Sequence, residues 1–226
     1  VWLFLGLLLT CTTLLSAQIE FKYSYMPKSV YENQLFPVTI IAVGEAGRSK
    51  PQFTFDSSSD TQPLFETPLV IQNGQDSFYT FYFKASDTDI RIPSLFISTE
   101  YGEGSLEPRT VTIETLKKRA DFCGVLAADM KIKSSQVSNY DENSHIVTLI
   151  LEAYEANLED MELSHVQESG VESLKRDHAK VEAELFVVLP VKETVLRFSY
   201  FNAIKRQFDL LEVPVVVMDD SVVTQS

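Results

Sequence analysis

The chain has 226 residues, 45% of them hydrophobic and 23% charged, with a formal net charge of −13 and a pI near 4.6. That length and apolar content suit one large or two small globular domains and exclude disorder along the whole chain. The acidic balance excludes a general nucleic-acid binder and electrostatic docking on anionic lipid, since both need a basic face. Two cysteines, Cys11 and Cys123, exclude a disulfide-rich scaffold.

Val1–Leu15 reads VWLFLGLLLTCTTLL, an uncharged run too short for an ordinary membrane span of about 20 residues. It fits the apolar core of a secretory signal peptide over residues 1–17, cut after Ser16-Ala17. Two alternatives stay open: an uncut anchor, and lipidation at Cys11, for which Thr10 is a poor preceding residue. With no initial Met and no basic leader region, the sequence is expected to be clipped at its start or to begin at a GTG codon read as Val. After cleavage Cys123 is the one remaining thiol. Its surroundings, ADFCGVLAADM, offer no positive charge to activate it, so a buried small hydrophobe is expected.

Beyond Ala17 short apolar runs alternate with turn signals. Phe36–Val43 is β-branched and ends at Gly44-Glu45-Ala46-Gly47. Phe78–Phe83 is aromatic, and Ile90-Arg91-Ile92 and Val111-Thr112-Ile113 alternate strictly. The second half offers Ile146–Leu151, Ala183–Leu189, Leu196–Phe201 and Val213–Met218. Period-two alternation gives each strand one buried and one wet face, and runs every 8–12 residues or so predict an all-β sandwich.

The halves also resemble each other. Tyr31–Gln34 with Val38–Ile41 matches Tyr140–Asn143 with Val147–Ile150 at an offset of 109. Asp87–Ile92 matches Glu193–Phe198 at 106, and Val111–Ile113 falls on Val215–Val217 at 104. Collinear matches with shrinking offsets predict two tandem immunoglobulin-like sandwiches of about 100 residues, at 18–118 and 119–220, with a tail at 221–226. The boundary is expected near Thr115–Ala120. Residues 18–118 carry 13 acids against 9 bases, and residues 119–226 carry 19 against 10. Much of that excess lies in Glu152–Glu184, with 10 acids and 3 bases. This stretch reads either as a short helix, from the spacing of Leu158, Met161 and His165, or as a strand and hairpin turning at Ser169-Gly170.

No constellation carries clear chemistry. His165 and His178 with Glu162 and Asp177 match no zinc spacing, and His145 stands apart. The acidic stretch lacks a calcium-loop register. Asp219-Asp220 sits in a polar tail, which offers no cleft for acid–base work. No GxSxG elbow or phosphate loop occurs, and Gly102-Glu103-Gly104 reads as a turn. The Phe78–Phe83 aromatics read as core and cross-strand packing rather than a ligand face. Catalytic, cofactor-binding and metal-ligating residues are therefore all assigned as none, and the chain is expected not to be an enzyme.

Several segments resemble the BatD family of the aerotolerance operon. They are Tyr31–Ile40, Phe78–Ala85, Ile90–Pro93 and Thr110–Ile113, with Asn157–Asp160 and Leu196–Asn202 as second-half counterparts. Here Asp87-Thr88-Asp89 precedes the Ile-Pro strand where that family tends to have Gly, and Ser199 stands where the first half has Pro93. The resemblance implies a periplasm-facing protein anchored by a later membrane helix, so the chain is expected to continue past Ser226. It further implies a complex with MoxR-type ATPases and von Willebrand A-domain proteins, and it brings no catalytic residues; the expectation of no nucleic acid partner comes from the acidic balance. The expectation is thus a non-enzymatic protein-interaction module of the bacterial envelope, of open oligomeric state. The alternatives are a secreted or surface adhesin, or carbohydrate-binding Ig-like pair, and an accessory domain of a longer enzyme. Trp2, the one Trp, lies in the leader and weighs against an aromatic sugar platform.

Overall fold

A computed structural model describes residues 20–44 and 50–217. The leader with Cys11, most of the Gly44–Gly47 turn, and the tail with Asp219 and Asp220 lie outside the described residues. The first half supplies β1 (Glu20–Tyr25), β2 (Ser29–Tyr31), β3 (Leu35–Val43), β4 (Gln52–Phe55), β5 (Leu69–Asn73) and β6 (Asp76–Lys84). It continues with β7 (Ile90–Ile92), β8 (Leu95–Thr99), β9 (Gly102–Leu106) and β10 (Arg109–Glu114). The second half supplies β11 (Phe122–Ala127), β12 (Asp129–Asn139), β13 (Ser144–Tyr154), β14 (Glu168–Asp177), β15 (Lys180–Pro190), β16 (Val195–Asn202) and β17 (Gln207–Pro214). The protein is all-β, as the alternation predicts, and no α-helix occurs among the described residues.

Each half contains one four-stranded antiparallel sheet, β1-β3-β6-β5 and β12-β13-β15-β14. Taken along the chain, both run first, second, fourth, third. The opposing layer of the first half is β2-β10-β7 with β4-β8-β9, and that of the second is β11-β16-β17. Pro93 and Pro108 cannot donate to a ladder, and they break the first layer between β7 and β8 and between β9 and β10. At the position matching Pro93 the second half has Ser199, and β16 runs through it unbroken. The third repeat match slips by two residues: Ile90 pairs with Val111, but Leu196 pairs with Val213 rather than Val215.

Alternation fixes the cores. Phe36, Val38 and Ile40 of β3 face Tyr79, Phe81 and Phe83 of β6 in a cluster closed by Ile90, Ile92, Leu95, Ile97 and Val111. Phe55 packs edge-on against Phe81 at 4.9 Å and against Phe83 at 5.7 Å. A separate cluster joins Val147, Leu149 and Leu151 of β13 to Val181, Leu185 and Val187 of β15, and to Leu196, Phe198 and Tyr200 of β16. Cys123 is buried in this second cluster.

The acidic stretch resolves into a 3-10 turn at Leu158–Asp160 followed by the β14–β15 hairpin. Leu158 and Met161 are buried, while His165 is exposed. The hairpin reverses at His178-Ala179, not at Ser169-Gly170, which lie inside β14. Gly170 sits opposite Phe186, and a Cβ there would come within 2.7 Å of the ring. The glycine marks room for an aromatic rather than a reversal. Gly102-Glu103-Gly104 is likewise strand β9, and the turn precedes it.

Side chains clasp the halves together. Tyr31 of β2 packs edge-on against Phe201 at 4.9 Å, and Phe201 continues to Phe208 at 5.2 Å. Arg206 lies over the Tyr31 ring, donates to its hydroxyl at 2.8 Å and pairs with Glu114 at 2.6 Å. Lys84 reaches Glu159 at 3.0 Å and Asp160 at 2.7 Å, and Arg176 holds Glu159 from the other side at 2.6 Å. His178, in the left-handed region at φ 50, stacks on Phe65 and bonds the Thr67 carbonyl at 3.2 Å. Beneath the 3-10 turn, buried Asn157 accepts from the Leu126 N–H at 2.7 Å and donates to Asp160 at 2.8 Å.

Two consequences are measurable. Gly124 has φ +81, and a Cβ there would meet the Asp160 carbonyl at 2.8 Å; Gly74 has φ +65 and open space. Gly124→Ala is expected to cost about 1–3 kcal/mol in urea unfolding, and more than Gly74→Ala, whose cost is backbone strain alone. Glu152 is 7% exposed and paired with Lys131 at 2.7 Å and Lys180 at 2.8 Å. Those two bonds lower its pKa from 4.5 to about 2. A lowered carboxylate pKa stabilises the fold in full above the unfolded value and loses that effect as pH falls through the folded one. The stability gap between wild type and Glu152→Gln should therefore be constant above about pH 5 and close between there and pH 2.

Candidate interaction surface

Leu69-Val70-Ile71 is a β-favouring run between Pro68, which has no N–H to donate, and Gly74, whose φ of +65 opens the turn. The two-residue loop Gly74-Gln75 joins β5 to β6, and Gly in the first loop position suits a type II′ reversal. The closing pair is Asn73 with Asp76. In such a hairpin, residues that exchange both ladder bonds alternate with residues that exchange none. Asn73, Ile71 and Leu69 therefore spend their backbone groups on β6. Val70 and Gln72 turn theirs out of the sheet, at an edge that no other described strand pairs with.

All five residues of β5 are exposed, Val70 at 48% and Ile71 at 56%. The strand is uncharged and regular. The other edges of the four-stranded sheets differ. β1 carries Glu20 and Lys22 and a bulge between Tyr23 and Tyr25. β12 carries Asp129, Lys131 and Lys133 with a bulge between Ile132 and Ser134. β14 carries five charged residues and a bulge between Val171 and Ser173. Charges and bulges are the usual devices that keep an edge from pairing with another strand, and β5 has neither.

The sheet's outer face leads into this edge. Ile41 pairs with Phe78 and Phe78 with Ile71, forming one apolar row on the side away from the core. Beside it Leu69 pairs with Thr80, whose hydroxyl meets that of Thr39 at 2.9 Å. At the far end of β6 the second half closes over the same face. Lys84 is held by Glu159 and Asp160 there, and Tyr82 is buried. Burial, with Glu155 nearby, pushes the Tyr82 hydroxyl up to about 12. The Ile41–Phe78–Ile71 end is left open. The outer face of the second four-stranded sheet is charged instead, with Lys131–Glu152–Lys180 and Lys133–Glu182 pairs.

The residues weighed from sequence are dispersed. Burial pushes the Cys123 thiol up to about 12, so at neutral pH it is a protonated core group. His165 is exposed, His178 belongs to the clasp, and His145 lies within β13. Among the described residues no three His, Cys, Asp or Glu side chains come together as a metal site. Glu152, Glu159 and Glu182 of the acidic stretch are engaged by lysine or arginine. Glu159, Asp160 and Glu162 with Glu32, Asn33 and Lys118 line an open cleft of about 500 Å³ between the halves. The aromatic run divides: Tyr79, Phe81 and Phe83 build the core, whereas Phe78 faces outward. No helix among the described residues is long and apolar enough to cross a membrane.

β5 is among the strands that the apolar runs read from the sequence leave unmarked, together with β4, β8 and β11. Its signal is present, an apolar triplet with β-branched Val70 and Ile71 between a proline and an Asn-Gly pair. Compared with known proteins, the chain matches no family model and has no significant match among curated proteins.

Proposed function

We propose that this chain is a non-enzymatic protein-interaction module of the bacterial envelope, BatD-like, built as two tandem immunoglobulin-like sandwiches over residues 18–118 and 119–220. It faces the periplasm and belongs to a membrane-associated complex with von Willebrand A-domain proteins and a MoxR-type ATPase. Recognition is by strand addition, in which a partner's extended segment bonds to an open sheet edge and its alternate side chains find neighbours on either face. The observation that carries this reading is the exposed, uncharged edge of β5, continuous with the apolar row of Ile41, Phe78 and Ile71.

Other features support it. The order β1-β3-β6-β5, in a half of about 100 residues, matches the larger sheet of an immunoglobulin constant-type domain, with the first, second, fifth and fourth strands side by side. The BatD-like segments fall on the strands that build the first half: Tyr31–Ile40 on the end of β2 and β3, Phe78–Ala85 on β6, Ile90–Pro93 on β7, and Thr110–Ile113 on β10. The clasp between the halves gives a partner one continuous object to recognise.

The test is co-purification of the tagged full-length chain from solubilised membranes of its own source organism. A von Willebrand A-domain protein is expected with the wild type. Val70→Pro removes an outward-facing N–H and should lower that recovery roughly tenfold, the effect of losing one strong interface contact. Equal recovery from both, or no such protein with either, would overturn the reading.

A further inference from the structure

We infer that the β5 edge is built to pair with β5 of a second copy of this chain, antiparallel, about a two-fold axis at Ile71. The inference rests on the reading of β5 as a docking edge, but not on the identity of the envelope partners: the second copy holds the edge in the free protein, and an envelope strand takes its place on binding.

The geometry is self-complementary. The backbone groups free at the edge belong to Val70 and Gln72, which flank Ile71 symmetrically. With the axis at Ile71, Val70 lies opposite the partner's Gln72, and Gln72 opposite the partner's Val70. Each pair exchanges an N–H and a C=O in both directions, so every outward group of the central three residues is satisfied. A shift of one residue would set outward groups against groups already spent on β6 and leave them unpaired. Ile71 then meets the partner's Ile71 as a non-hydrogen-bonded pair, the spacing at which cross-strand side chains approach most closely. The apolar row of Ile41, Phe78 and Ile71 continues into its own image across the axis, six side chains long.

Charge permits the same occupant. Two copies at −13 each repel, so self-association requires a surface that does not set like charges against each other. β5, which carries no charge, meets that requirement. Pro68 and Gly74 bound the pairing segment to five residues, which places the contact at the small end of specific interfaces. The dimer is accordingly concentration-dependent, forming at roughly tens of micromolar.

Cross-linking tests both the pairing and its register. The full chain carrying Cys11→Ser receives either Ile71→Cys or Asn73→Cys, and each protein is oxidised in mild detergent. Across the axis the two residues 71 are direct neighbours, within the Cα separation a disulfide accepts. The two residues 73 lie four residues out of register, roughly 13 Å apart. A covalent dimer from Ile71→Cys with little from Asn73→Cys is expected. Sedimentation of the wild type should shift from 25.5 kDa towards twice that mass with concentration, and Val70→Pro should not shift. Equal cross-linking at both positions, or a wild type that stays monomeric, would overturn the inference. A monomer whose Val70→Pro variant still loses the von Willebrand A-domain partner would put a foreign strand on the edge, refuting self-pairing while leaving the proposed function in place.

Discussion

Every open β-sheet has two edges of unpaired N–H and C=O groups, and the disposal of those edges shapes this molecule. Faces are the simpler problem. Alternation in β3, β6, β13 and β15 sends one side of each sheet into a core, and the two cores close separately. Edges call for local devices. Bulges and charges occupy β1, β12 and β14. Pro93 and Pro108 split the first half's opposing layer into short strands that offer little to pair with. Pro214 closes β17. Against these, β5 is open, regular and neutral. Among the edges of the two four-stranded sheets, β5 is the one with neither charge nor bulge, and it is the edge the proposed docking uses.

Which part of the outer face stays bare depends on how the halves meet. The second half reaches the first through the 3-10 turn and the tip of the β14–β15 hairpin. Lys84 is the pivot of that contact, since it bonds both Glu159 and Asp160 at the end of β6. Burial acts against its charge, but the two carboxylates outweigh that and raise its pKa overall. The turn itself is fixed by Asn157, whose amide serves β11 and Asp160 at once, and by the side-chain-free approach at Gly124. His178 and Phe65 anchor the segment that leads directly into β5. The exposed end of the apolar row is thus a product of the junction: the contact that buries Tyr82 stops short of Phe78.

Much of the architecture is legible in the chain, because a strand's burial pattern and its sequence pattern are the same period-two signal. Phe36–Val43, Phe78–Phe83, Ile146–Leu151 and Leu196–Phe201 all fall on strands. What escapes is what depends on more distant partners. Ser169-Gly170 carries a turn signal, but the glycine answers Phe186 on the neighbouring strand. The true reversal rests on a histidine at positive φ, a conformation uncommon for any single non-glycine residue. Leu158 and Met161 have helical spacing, yet three residues of 3-10 turn suffice to bury both. β5 escapes for another reason. A core-directed reading looks for apolar residues that will be hidden, and Leu69, Val70 and Ile71 are apolar residues left exposed.

The strong acidity and the neutral edge belong to one account. Like charges spread over the surface keep copies apart over distances set by screening, about 8 Å at physiological salt, and oppose any contact that brings charged faces together. Repulsion of that kind is weakest where a strand carries no charge and projects at a sheet's margin. Backbone hydrogen bonds then supply attraction independent of side-chain identity, and the side chains decide only register and face. Ile71 sets both: its backbone is spent inward on β6, so its two neighbours face out, and its side chain lies on the apolar row. On the proposed self-pairing the acidic surface would act as a filter, opposing contact through the broad faces and leaving strand pairing at β5 as the contact of least electrostatic cost.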